Sequence, residues 1–249
     1  MRMDSVIRFE HVAKRYDGQS VLEDFSLEVE NGEFLTIVGR SGCGKTTALK
    51  LINGLLAADG GCVYVMGEDV SRTDVISLRR RIGYAIQNVG LFPHMTVEKN
   101  IAYVPSISGL PGWKGAERRE KARSLLMRVG LEPELAGRYP RELSGGQRQR
   151  VGIARALAAN PEILLMDEPF GAVDEITRGF LQDEIARIHK ETGITILFVT
   201  HDVNEALRLG TKVLVMDQGK IQQYAAPAEI KCHPANDFVR ALLGRTLDR

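Results

Sequence analysis

The sequence has few cysteines, no long apolar run and almost no net charge, and each shortage speaks against a class of protein. Cys43, Cys62 and Cys232 cannot all pair within one chain, and none stands in CxxC spacing with another. A secreted disulfide scaffold and a cysteine metal cluster are therefore disfavoured, and free thiols in a reducing compartment are expected. No uncharged apolar stretch reaches the ~18 residues of a membrane-spanning helix. The opening MRMDSVIRFEHV has no apolar signal core. A soluble chain is expected, which leaves a membrane-bound partner open. Lys plus Arg number 33 against 32 Asp plus Glu, a formal charge of +1, so there is no polybasic coat and no nucleic-acid partner is expected. Solenoid repeats and low-complexity tracts are also missing. What is present is 249 residues, 44% hydrophobic and 26% charged. That suffices for one large domain, or two joined lobes, with a core that needs no staples.

Dense runs of Val, Ile, Leu and Phe predict strands buried on both faces at 6–9, 34–38, 163–166, 195–199 and 213–216. Helical spacing predicts helices over 46–56, over 117–129 with Gly130 as the stop, over 148–159 before Asn160-Pro161, and over 178–190. The stretch 89–143 differs from its flanks. It carries Pro93, Pro105, Pro111, Pro133 and Pro140, and its most regular part is helical. It reads as a helical lobe inserted into an α/β core, with a long looped crossover as the alternative.

The chemistry begins at Gly39-Arg40-Ser41-Gly42-Cys43-Gly44-Lys45-Thr46, a complete GxxxxGK[ST] between a strand and a helix. Glycines at 39, 42 and 44 permit tight turns. Successive amides can then face phosphate oxygens, and the helix N-terminus adds donors and a favourable dipole. Lys45 can bridge β and γ phosphates, and the Thr46 hydroxyl can coordinate Mg²⁺. The run Ile163-Leu164-Leu165-Met166 then delivers Asp167 and Glu168 to a strand end. Asp167 suits Mg²⁺, and Glu168 can act as general base on water. His201 ends another apolar run and can meet a phosphate oxygen or a water. Gln87 follows Ile82–Ile86 and can offer its amide oxygen to Mg²⁺. Taken alone, His201 also fits a structural histidine, and Gln87 a polar strand cap. Leu143-Ser144-Gly145-Gly146-Gln147 precedes a helix. Its serine and amides fit either a second phosphate cluster or an ordinary helix cap.

In combination these segments resemble the ATPase subunits of ATP-binding-cassette transporters, over nearly the whole chain. LSGGQ at Leu143–Gln147 matches the family signature, Gln87 the glutamine loop, and His201 the histidine switch. Gly171-Ala172-Val173-Asp174 matches the D-loop, and Tyr16 the aromatic that stacks on adenine. The resemblance implies an α/β fold: a P-loop NTPase core with an N-terminal antiparallel β-subdomain and an inserted helical subdomain. It implies one cassette domain over 1–249, with the core at 1–88 and 144–249 and the helical insertion at about 89–143. It also implies ATP and Mg²⁺ as cofactors. Tyr16, Gly39, Arg40, Ser41, Gly42, Cys43, Gly44, Lys45, Thr46, Thr47, Gln87, Ser144, Gly145, Gly146 and Asp174 would contact the nucleotide. Thr46, Gln87 and Asp167 would hold the metal. Glu168, His201, Lys45 and Gln87 would serve catalysis.

The family further implies a head-to-tail dimer in which Ser144 and Gly146 of one copy complete the other copy's site. Transmembrane permease subunits and an extracytoplasmic solute-binding protein would be partners, with the chain peripheral on the cytoplasmic face of the inner membrane. Phe92 and Met95 stand where importer subunits meet a permease, or else pack inside the lobe.

The strings QNVGLFPHMTVEKNI, MDEPFGAVDEITR and FVTHDVNEAL resemble the osmoprotectant, quaternary-amine branch of importers. Val173 and Glu175 depart from the more usual GALDPITR, which weakens the branch assignment and leaves Asp174 intact. Sulfonate, nitrate and polyamine importers remain alternatives, followed by exporters and soluble cassette ATPases. Several branch members carry paired nucleotide-sensing modules. The sequence up to Arg249 leaves no room for them, so the chain reads as a short member or a truncated one.

Overall fold

The computed structural model of the chain describes residues 5–86 and 89–247. Among these, the strands are β1 (Ser5–Tyr16), β2 (Gln19–Glu30), β3 (Phe34–Gly39), β4 (Gly60–Val65), β5 (Glu68–Asp69), β6 (Ile82–Ala85), β7 (Ile163–Asp167), β8 (Thr195–Thr200), β9 (Lys212–Asp217) and β10 (Lys220–Ala225). The chain divides into two compact units. One comprises residues up to Arg79 and those from Gly193 onward, and the other is Arg80–Thr192.

The first unit contains an antiparallel sheet in the order β2-β1-β4-β5. β2 alternates faces, burying Leu22, Phe25, Leu27 and Val29 and exposing the polar residues between most of them, the pattern of a strand with one wet side. Phe9 of β1 meets Phe25 edge to face at 5.2 Å. The unit's other strands run β10-β9-β3-β8, with β3 parallel to both β8 and β9. Every residue of β3 and β8 is buried, which is why the two read as largely apolar runs, with threonine at 36, 195 and 200. Behind them Val38, Val213 and Val215 pack with Val203, Ala206, Ile230, Val239 and Leu243.

The second unit pairs β6 with β7 in parallel. Its residues 89–143 hold only helices and 3-10 turns: Val97–Ile101, Tyr103–Ile107, Gly115–Arg128, Pro133–Gly137 and Pro140–Glu142. No strand occurs there among the described residues. Helices Gly145–Leu157 and Glu175–Thr192 complete the unit.

Helix boundaries moved where local caps outweigh periodicity. The helix expected over 46–56 is Lys45–Ile52, because Asn53 caps it and Gly54 follows at φ 63°. The helix expected from 148 begins at Gly145. Ser144 Oγ accepts the Gln147 amide at 3.2 Å, and Gln147 Oε1 accepts the Ser144 amide at 2.9 Å, a reciprocal capping box. The helix expected from 178 begins at Glu175, where Asp174 Oδ1 accepts the Thr177 amide at 2.9 Å. The 117–129 helix runs Gly115–Arg128, and Gly130 follows at φ 65° as the expected stop.

Candidate functional site

In the first unit, β3 runs into the glycine loop, and the loop runs into helix Lys45–Ile52. Each of the three glycines answers a different demand. Gly42 and Gly44 sit at φ 78° and 103°, where a side chain strains the backbone. A β-carbon on Gly44 would also come within 2.7 Å of Leu22 Cδ2. Gly39 has no such φ. A β-carbon there would run into the Met216 carbonyl oxygen of β9 and lie 2.9 Å from Cys43 Sγ. The Gly219 amide donates to the Cys43 carbonyl at 3.2 Å. Gln218 and Gly219, at φ 47° and 75°, make the tight β9–β10 turn. The hairpin therefore fastens the loop at both ends. A Gly39→Ala chain should lose about 1–3 kcal/mol of stability through this overlap, read as a fall in the urea unfolding midpoint. An unchanged midpoint would refute the close approach.

Lys45 is 6% exposed and donates to the Gly39 and Arg40 carbonyls, both at 2.9 Å. Its charge is thus aimed along the loop's concave backbone. The helix it opens is preceded by Gly44, which has no side chain with which to cap it. A buried ammonium, a helix N-terminus and glycine-lined backbone fit a phosphate chain. Thr47 is buried one step further on. Ser41 is exposed. The Arg40 side chain instead lies 5.0 Å above the Phe238 ring. Burial pushes the Cys43 thiol up, which keeps it neutral at the loop. Tyr16, closing β1, is 41% exposed, with Lys14 Nζ 5.7 Å from its ring centroid. His201 is exposed just past β8. Asp202 beside it caps the next helix through the Asn204 and Glu205 amides.

In the second unit, β7 is wholly buried and ends on Asp167, itself 6% exposed. Glu168 then turns at φ 47°. That left-handed backbone costs a residue with a β-carbon about 1–2 kcal/mol, and such strain gathers at functional sites. Among the described residues no three His, Cys, Asp or Glu side chains form a metal cage. The buried carboxylate of Asp167 instead suits a hard cation such as Mg²⁺, which takes few protein oxygens and shares the rest with phosphate and water.

The Ser144–Gly146 segment is braced by the Gly171–Asp174 loop. A β-carbon on Gly146 would stand 3.1 Å from the Ala172 carbonyl oxygen. Hydrogen bonds from the Thr177 amide and side chain hold the Asp174 carboxyl below its usual range. Phe92 packs on Tyr103 with ring centroids 4.6 Å apart. The fully buried Asn100 amide ties the Phe92, Met95 and Thr96 carbonyls together. Phe92 is thus packed against its own segment and half-buried. Gln87 lies outside the described residues.

Sequence reasoning missed three positions: Asn100, the Gln218-Gly219 turn and Gln149. Only the turn had a local signal, a Gln-Gly pair between two apolar runs. Gln149, 3% exposed, donates from Nε2 to the Glu168 carbonyl at 3.2 Å and accepts the Ala172 amide on Oε1 at 2.8 Å.

Residues 22–171 match the family model described as ABC transporter. The chain is 49% identical over 241 residues to the glycine betaine uptake system ATP-binding protein YehX of Escherichia coli, covering 97% of this chain and 77% of that one. It is 46% identical over 241 residues to the glycine betaine/carnitine/choline transport ATP-binding protein OpuCA of Bacillus subtilis, covering 96% of this chain. It spans only 63% of the length of that relative. A solved structure described as a dimeric post-hydrolysis state of the ATP-binding cassette MJ0796, bound to ADP and Pi, superposes with a TM-score of 0.82. The two are 33% identical, and the match covers 89% of this chain and 98% of that one. With the matched family model spanning more than half its length, the chain belongs to the ABC transporter family of ATP-binding cassettes.

Proposed function

We propose that the chain is the ATP-hydrolysing subunit of an importer for quaternary-amine osmoprotectants such as glycine betaine, choline or carnitine. The observation that carries the hydrolytic part is the buried strand β7, which ends on Asp167 with Glu168 at the turn after it, in a chain that also holds the loop around Lys45. The solute class rests on the relatives named above.

Tyr16 stacks on the adenine. The amides from Gly39 to Gly44, with Arg40, Ser41 and Cys43 contributing backbone, line the phosphates, and Lys45, Thr46 and Thr47 hold them. Thr46 and Asp167, with Gln87, hold Mg²⁺, which when bound neutralises phosphate oxygens and sharpens the leaving group. Glu168 takes a proton from the attacking water, and His201 and Gln87 orient around the γ phosphate. Two copies pair head to tail, so that Ser144, Gly145 and Gly146 of one face the nucleotide of the other, beside Asp174. Ser144 Oγ is a cap acceptor in its own chain, yet its hydroxyl proton stays available to donate to a phosphate oxygen. Closure binds ATP better than the open form does, and hydrolysis removes that preference, so the cycle runs on differential affinity.

Among the described residues no helix is long and apolar enough to cross a membrane. In keeping with the transport subunits it resembles, the chain sits on the cytoplasmic face of the membrane through permease subunits, and an extracytoplasmic solute-binding protein supplies the solute. The test is reconstitution with a permease and binding protein in vesicles, followed by ATP-dependent uptake of glycine betaine, choline, carnitine and a sulfonate. Uptake of the amines without the sulfonate is the expected result. Uptake of the sulfonate alone overturns the solute class, and ATP turnover without any uptake overturns the coupling.

A further inference from the structure

One side chain joins the Ser144 helix to the turn that carries Glu168. Gln149 lies on helix Gly145–Leu157, little more than a turn beyond Ser144. Its amide is buried, and both ends are used. Nε2 donates to the Glu168 carbonyl at 3.2 Å, and Oε1 accepts the Ala172 amide at 2.8 Å. The orientation is forced, because a carbonyl can only accept and an amide N–H can only donate. The Glu168 carbonyl also receives the Gly171 amide at 3.4 Å, and Val173 N bonds to Phe170 O at 3.1 Å, which folds the segment after β7 into a tight loop. Arg178 adds weaker support from the next helix, reaching the Val173 carbonyl at 3.3 Å.

The clamp sits where the backbone most needs one. Glu168 is at φ 47°, outside the conformations that side-chain-bearing residues adopt freely. A strained residue persists only where its surroundings over-determine it. The orientation of that peptide sets where the Glu168 side chain leaves the main chain. Gln149 grips the turn on both sides of Pro169 and Phe170.

We propose that Gln149 is a positioning residue: its buried amide holds the Glu168 turn so that the Glu168 carboxylate meets the attacking water. The inference rests on the reading of Glu168 as the general base. The Ser144 segment and the base of one subunit are then two ends of one hydrogen-bonded piece. A general base must be within hydrogen-bond reach of its proton, so a small rotation of this turn is felt in turnover rather than in nucleotide affinity.

The experiment uses the full chain and four variants: Gln149→Glu, Gln149→Met, Glu168→Gln, and the double variant Gln149→Glu/Glu168→Gln. Gln149→Glu keeps the acceptor for Ala172 and sets an oxygen against the Glu168 carbonyl. Gln149→Met keeps the volume and removes both bonds. Each single Gln149 variant should lower kcat by about 10-fold or more, with ATP affinity within about 2-fold of the parent. In single-turnover assays the double variant should match Glu168→Gln within about 2-fold, since a misaimed carboxylate costs nothing once the carboxylate is gone. An equal fall in both backgrounds, or an unchanged kcat in both Gln149 variants, overturns the positioning role. Parental turnover by Glu168→Gln would instead fault the assignment of the base itself. Should one Gln149 variant fail to fold, as read by thermal unfolding, the other carries the comparison. Failure of both would make Gln149 a structural residue and overturn the proposal.

Discussion

A Glu168→Gln chain is expected to bind ATP with near-parental affinity and to hydrolyse it about 10²–10⁴-fold more slowly, the range that a positioned general base contributes. Glutamine matches glutamate in size, so the turn after β7 and the Gln149 bond to its carbonyl should survive. Only the proton acceptor is lost. With hydrolysis stalled, the form that prefers ATP should accumulate, and size-exclusion chromatography with ATP and Mg²⁺ should show a dimer peak that ADP does not produce. Loss of ATP binding would mean that Glu168 holds the nucleotide or its metal rather than the water. Parental turnover would remove it from the reaction altogether.

The second large effect is expected at Lys45. Its ammonium is buried and bonded to the Gly39 and Arg40 carbonyls. Lys45→Ala therefore removes the cation that would meet the phosphates, and it also strips two loop carbonyls of their donor. Hydrogen bonds to charged groups contribute about 1.5–3 kcal/mol each, and tenfold in affinity is about 1.4 kcal/mol. The expected loss in ATP affinity by calorimetric titration is thus about 10–100-fold. Lys45→Met separates the two contributions. It refills the volume without the charge, so if electrostatics dominates it should be as impaired as the alanine variant. Recovery of binding in Lys45→Met would assign the effect to loop packing, and parental affinity in both variants would remove Lys45 from the nucleotide site.

Some of this was legible in the sequence because the chemistry constrains a short window. The loop from Gly39 to Thr46 and the strand end at Asp167-Glu168 each need few residues in fixed order, and the chain's fold places each next to a buried strand. The reason for Gly39 was not legible. It is a close approach to Met216, whose neighbourhood is set by the pairing of β3 with β9. Ser144 fitted a cap or a phosphate contact. The structure makes it a cap in its own chain, and a capped serine retains a proton to give. The Lys45–Ile52 helix is shorter than the 46–56 that composition predicts, because the left-handed glycine after Asn53 ends it. Gln149 was beyond reach for a different reason. Its partners are backbone groups, and no side-chain pattern announces a carbonyl and an amide that the tertiary fold brings together.

The placement of β3 also bears on how the chain is made. Both strands that flank it, β8 and β9, come from the last quarter of the sequence. Phe34 and Thr211, bonded to one another, are 177 positions apart. As the polypeptide leaves the ribosome, Phe34–Gly39 must therefore wait as an apolar strand with two open edges. Such a segment is prone to stray pairing until its neighbours are synthesised. The cradle for phosphate is encoded early and becomes competent among the last parts of its unit, so a nascent chain should be a customer for holding chaperones through most of its translation.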